Sequence, residues 1–183
     1  LSEPSKHGLL YEVDARLRPE GRGGPLSISA NGYARYLETR ASTWERQALT
    51  RARMIAGPEQ LCRDVTNLID KYVYASAGTE VIDEVESMRE RMEEAGQERH
   101  VGRLNIKTGS GGLVDAEFMA QLGQVLYGGN FEELCGLDTA HALGHLQQKG
   151  LVHAADARSL IVGYRMLRNL QMRLRIRDDQ AHN

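Results

Sequence analysis

The sequence predicts a mostly α protein with a small β part, an α+β class, and three observations carry that expectation. Positions 9 to 17 alternate strictly: Leu9, Tyr11, Val13, Ala15 and Leu17 are apolar, while Glu12, Asp14, Arg16 and Arg18 face the other way. From Asn31 onward the apolar residues recur at helical spacing. Strand signals do not return after Ile28.

The elements follow in order. "LLYEVDARLRP" reads as a half-buried strand, and the glycines and prolines of "PEGRGGP" (19–25) as a turn. Leu26 and Ile28 then suggest a second strand pairing back. "STWE" (42–45) has the form of a capping box, opening a helix that places Trp44, Ala48, Ala52 and Ile55 on one face until Gly57 and Pro58 end it. Leu61, Val65, Leu68, Ile69 and Tyr72 make a second amphipathic stripe, and Val81, Val85, Met88 and Met92 a third. The stretch "AGQERHVGRLNIKTGSGG" (95–112) interrupts the pattern, which Phe118, Leu122, Val125 and Leu126 resume. A further helix opens near Asp138, and a long one over 154–175 turns Leu160, Ile161, Tyr164, Leu167 and Leu174 inward. A boundary near "ASAGT" (75–79) divides the chain into 1–75, a sheet portion with attached helices, and 76–183, a helical bundle.

Composition narrows the function classes. Lys plus Arg number 23 against 25 acidic residues, so the net charge of −2 provides no global attraction to nucleic acid or to an anionic membrane. No apolar run is long enough to span a bilayer, and the N-terminus is not built like a signal peptide. Cys62 and Cys135 lack zinc-ligand spacing and read as reduced packing residues of a cytoplasmic protein. The chain opens at Leu1, a few residues before a well-formed strand, and reads as a piece of something longer.

Several patterns have the residue types for chemistry. Glu12, Asp14, Arg16 and Arg18 project from one side of a strand, which suits a carboxylate for a divalent cation beside guanidiniums for phosphate, and equally a solvated face with cross-strand ion pairs. Gly109, Gly111 and Gly112 precede a helix whose first N–H groups are candidates to hold an anion, with Lys107 as counter-charge, or form a plain loop. Asp115 and Glu117 suit the first turn of any helix. His141 and His145 share a helical face, yet "HALGH" lacks the glutamate and third ligand of a zinc site. Arg46, Arg51 and Arg53 line one helix, and Arg165, Arg168, Arg173, Arg175 and Arg177 crowd the last one without interleaved aromatics, as on a solvated face.

Taken in order, "YEVDARLRPEGRGGPL", "TWERQALTRAR" and "NIKTGSGGLVDAEFMAQ" resemble the glutamine synthetase adenylyltransferase family, large enzymes that attach and remove AMP on a glutamine synthetase tyrosine. The resemblance implies the C-terminal part of a polymerase-β-like nucleotidyltransferase sheet, followed by a helical bundle shared with the uridylyltransferases of the nitrogen-regulatory PII protein. It further implies ATP as substrate and Mg²⁺ held by three carboxylates. Asp14 matches the third of these. The Gly-Ser and Asp-x-Asp pair that supply the other two are not found in the 183 residues, so those ligands are expected upstream of Leu1 and the fragment by itself is expected to be inactive. Arg16, Arg18, Lys107, Gly111 and Gly112 are implied to meet nucleotide or phosphate, and Glu12, Arg51, Arg53, Asp115 and Glu117 to serve an interdomain or substrate role. Glutamine synthetase, the PII protein and the other half of the enzyme are the implied partners. Val114-Asp115 resembles the half that adds AMP, where the removing half carries Arg-Glu; removal, or a regulatory module binding these partners, are the alternatives.

Overall fold

Small residues at 116, 120 and 123 let one helix, over 113–127, approach the helices packed on it closely. The computed structural model describes residues 14–15, 18–99 and 104–181. These fall in two compact units, residues 1–41 and 42–183.

In the first unit the described backbone forms a turn from Arg18 onward. Arg18 donates to the carbonyls of Ala15 (2.7 Å), Gly24 (3.0 Å) and Arg22 (3.1 Å), so its guanidinium staples the turn that includes a short 3₁₀ segment, Gly21–Gly23. Ser29 then caps α1 (Ala30–Thr39) by accepting from the Gly32 N–H at 3.1 Å. Tyr36 and Leu37 are its buried residues. Arg40 pairs with Glu20, and the Glu20 N–H reaches the Tyr36 hydroxyl at 3.3 Å, which ties the end of α1 back to the turn.

No strand forms among the described residues. The expected first strand lies largely outside them, and Asp14 and Ala15 carry no strand pairing. The second expected strand is corrected: Leu26 is 84% exposed and the segment around Ile28 is an irregular lead into the Ser29 cap. Two alternating residues bury nothing without a neighbouring strand, and the cap next to them draws the backbone into a helix instead.

In the second unit the capping box forms as read. The Ser42 N–H donates to Glu45 Oε2 at 2.9 Å and opens α2 (Thr43–Leu49). The helix is shorter than its apolar spacing predicts and turns a different face inward. Trp44 is 42% and Ile55 88% exposed, while Glu45, Gln47 and Thr50 are buried. Two bonds explain this: Thr50 Oγ1 donates to the Gln47 carbonyl at 2.7 Å and closes the helix, and Gln47 Nε2 donates to Gln121 Oε1 at 3.0 Å inside the core. α3 (Glu59–Val73) buries Ile69 and Val73 at its end, where Arg46 Nε donates to the Val73 carbonyl at 2.9 Å. α4 (Glu80–Arg99) buries Val81 and Val85.

The central helix is α5 (Leu113–Tyr127), buried on most of its circumference. It packs against α2, α4, α6 (Thr139–Gln148) and α7 (Ala154–Ala181). Ala116, Ala120, Ala142 and Leu143 form a core against which Leu137, Leu160, Ile161 and Tyr164 pack. The contact with α6 leaves no room for a side chain at Gly123, where a Cβ would lie 2.4 Å from Leu146 Cδ1. Buried Gln124 donates to the carbonyls of Leu134 (2.8 Å) and Leu137 (3.2 Å), satisfying the turn between α5 and α6. No helix among the described residues is long and apolar enough to cross a membrane.

Candidate functional site

The segment from Asn105 to Gly112 is a closed structure held by its own polar groups. Asn105 Oδ1 accepts from the N–H groups of Lys107 (3.1 Å) and Thr108 (3.0 Å), and its Nδ2 donates to Thr108 Oγ1 at 2.7 Å. The first N–H groups of α5 are taken by the same loop: Leu113 donates to the Ile106 carbonyl and Val114 to the Lys107 carbonyl, both at 3.0 Å. The expectation that these groups stand free for an anion is therefore corrected, because loop carbonyls cap the helix. Gly111 and Gly112 have different reasons for being glycine. Gly111 has φ +73° in open space, whereas a Cβ on Gly112 would lie 2.7 Å from the Gly109 carbonyl oxygen and 2.9 Å from that of Lys107.

Lys107 is exposed at the edge of a groove of about 480 Å³ between α4 and this loop, lined by Met88, Arg91, Met92, Asn105, Lys107 and Thr108. The loop is pinned to α4 by Arg89, whose side chain is only 13% exposed. Arg89 Nε pairs with Asp115 Oδ1, and a terminal nitrogen donates to the Gly109 carbonyl at 3.2 Å. The other Asp115 oxygen accepts from the Gly111 N–H at 2.6 Å. Sequence reasoning missed Arg89, which reads as one charge among many on a polar helix.

Asp115 and Glu117 do not act together. Two residues on a helix are about 200° apart, and Glu117 faces Arg51 at 3.5 Å, with the Tyr164 hydroxyl donating to it at 3.4 Å. Arg51 also donates to Thr139 Oγ1 at 2.6 Å, so the segment just past α2 meets α5, α6 and α7 in one partly buried polar cluster; α2 ends at Leu49, and Arg51 and Arg53 lie beyond the helix they were expected to line. Arg53, two residues on, is exposed and has no hydrogen bond or ion pair among the described residues. Of the expected set, then, Lys107, Gly111, Gly112 and Asp115 come together in one cluster and Arg51 and Glu117 in another.

In the first unit Asp14 is exposed and Arg18 serves the turn that follows it; Glu12 and Arg16 lie outside the described residues. Among the described residues no three His, Cys, Asp or Glu side chains converge to hold a metal ion, and one carboxylate is not a metal site. His141 is engaged locally: its Nδ1 lies 2.7 Å from Asp138 Oδ2 on the residue that caps α6.

Two family models match the chain. Residues 1–98 match that of the glutamate-ammonia ligase adenylyltransferase, and residues 80–183 match that of the GlnD PII-uridylyltransferase, so that α4 falls almost entirely within both. The first match takes in Asp14, Arg18, α2, Arg51, Arg53 and Arg89; the second takes in the glycine loop and the helices packed behind it. The chain accordingly belongs to the glutamate-ammonia ligase adenylyltransferase family, the nucleotidyltransferases that act on glutamine synthetase.

Proposed function

We propose that this chain is the downstream part of the half that adds AMP from ATP to a tyrosine of glutamine synthetase. The observation that carries the reading is the overlap of the two matched regions along one unbroken helix, α4, inside the second unit, which makes the adenylyltransferase match and the uridylyltransferase-like match parts of one continuous fold. Val114 supports the choice of half. It is 3% exposed in the first turn of α5, an apolar niche that the Arg-Glu of the removing half would fill with a charge.

In this reading Asp14 contributes one ligand to a Mg²⁺ site completed elsewhere in the intact enzyme, where the ion supplies charge neutralisation for the triphosphate and a more acidic tyrosine hydroxyl. Arg18 orients this carboxylate: by binding the Ala15 carbonyl it fixes the backbone next to Asp14. Arg16 serves phosphate or the same orientation. Lys107 is the cation for the triphosphate, on a loop whose glycines set its shape. Arg53 is available to the protein substrate. The PII protein and the other half of the enzyme are the regulatory partners of the same reading, and the isolated chain transfers no AMP.

The test is transfer of labelled AMP to glutamine synthetase by the intact enzyme, beside its Asp14→Asn variant. Loss of about a thousandfold or more in the variant is the expected result. An enzyme that never labels its substrate in this half, but strips AMP from modified glutamine synthetase in phosphate, overturns the choice of half.

A further inference from the structure

Arg89 makes contacts that its place on a polar helix does not require. Its guanidinium is largely covered on α4, pairs through Nε with Asp115 and donates to the Gly109 carbonyl at 3.2 Å. The nitrogen that faces Glu93 at 3.4 Å makes no hydrogen bond. Through Asp115, which receives the Gly111 N–H, Arg89 holds the loop on both sides of Ser110. A partly buried ion pair of this kind contributes modestly to stability, and its multiple directional contacts serve to select one loop conformation.

The loop it holds carries Lys107. The N–H of Lys107 is bound by Asn105 and its carbonyl by Val114, so its backbone is held on both sides while its side chain reaches solvent at the groove. The start of α5, which supplies the Val114 N–H, is anchored to α4 by the Asp115–Arg89 pair one residue further on. We infer that Arg89 is a positioning residue: it holds the 105–112 loop in the shape that presents Lys107, and through it sets affinity for the triphosphate rather than the rate of the chemical step. This rests on the assignment of Lys107 to the triphosphate made above.

The experiment is a double-mutant cycle in the intact enzyme with Arg89→Met, Lys107→Met and both, with KM for ATP and kcat read separately and amide exchange followed over residues 105–115. Each single variant is expected to raise KM about tenfold with kcat within about twofold, the size of one charge-assisted contact. The double variant is expected to be no worse than Lys107→Met alone, and Arg89→Met to speed exchange at Gly109 and Gly111. Arg89→Lys, which keeps one of the two contacts, is expected to recover part of the loss and is the variant to use if Arg89→Met does not fold. Additive effects on KM, or a fall in kcat that follows the folded fraction, overturn the inference. A normal KM in Arg89→Met beside a raised one in Lys107→Met overturns it alone. A normal KM in Lys107→Met overturns both it and the assignment of Lys107.

Discussion

Gly111 and Gly112 are neighbours that fail differently when substituted, and the contrast tests the account of the loop. At Gly112 a Cβ would meet the carbonyl oxygens of Gly109 at 2.7 Å and Lys107 at 2.9 Å, both of them backbone atoms. Carbon keeps about 3.3 Å from such an oxygen, so the loop has to give by roughly half an ångström. The Gly112-to-Gly109 bond (2.9 Å) and the Val114-to-Lys107 bond (3.0 Å) lie in the way of that movement. At about 0.5–1.5 kcal/mol each, Gly112→Ala costs roughly 1–3 kcal/mol. For a unit of this size that lowers the melting temperature by about 3–10 °C. Gly111 sits in open space at φ +73°, so only the backbone conformation matters there. Gly111→Ala costs about 1–2 kcal/mol, and Gly111→Asn, which tolerates the left-handed region, clearly less. Thermal unfolding of the four proteins, wild type included, gives the order. A Gly112→Ala variant as stable as wild type, or a Gly111→Asn variant that falls as far as Gly112→Ala, refutes the argument.

Two further outcomes concern titration. Tyr74 accepts the Gly136 N–H at 2.9 Å, and burial pushes its phenol up to about 12. A folded pKa above the unfolded value of about 10 means the native state holds the proton longer, so this stabilisation is present below pH 10 and is lost as pH rises towards 12; Tyr74→Phe should remove that alkaline step from the stability curve. Asp138 is held below the usual carboxylate range chiefly by the His141 N–H it caps, so its contribution is present above its unfolded pKa and is lost as pH falls through the lowered folded one. Asp138→Ala should cost about 1 kcal/mol at neutral pH and flatten that acid limb in denaturant melts.

What the sequence showed plainly was local. The Ser42–Glu45 box, the cap at Asp138 and the glycine run before α5 each depend on residues within a few positions, and each forms. What it hid was set at long range. The inward face of α2 is decided by Gln47 meeting Gln121, residues 74 apart, and no apolar period reports a buried amide pair. The strand expected at Leu26 and Ile28 depended on a partner that two alternating residues do not specify. The loop carbonyls that cap α5 are invisible to a reading that counts glycines. The divergence of Asp115 and Glu117, by contrast, was legible in their i, i+2 spacing.

That divergence also limits how this region can change over evolutionary time. The first five residues of α5 engage Arg89 on one side and Arg51 on the other. Inserting or deleting a single residue between the loop and Glu117 rotates the carboxylates beyond the edit by about 100° and breaks the pairing on at least one side. Substitutions can accumulate one at a time here, but length cannot drift, so insertions that lengthen the protein should settle in exposed stretches such as 54–58 and spare 105–117.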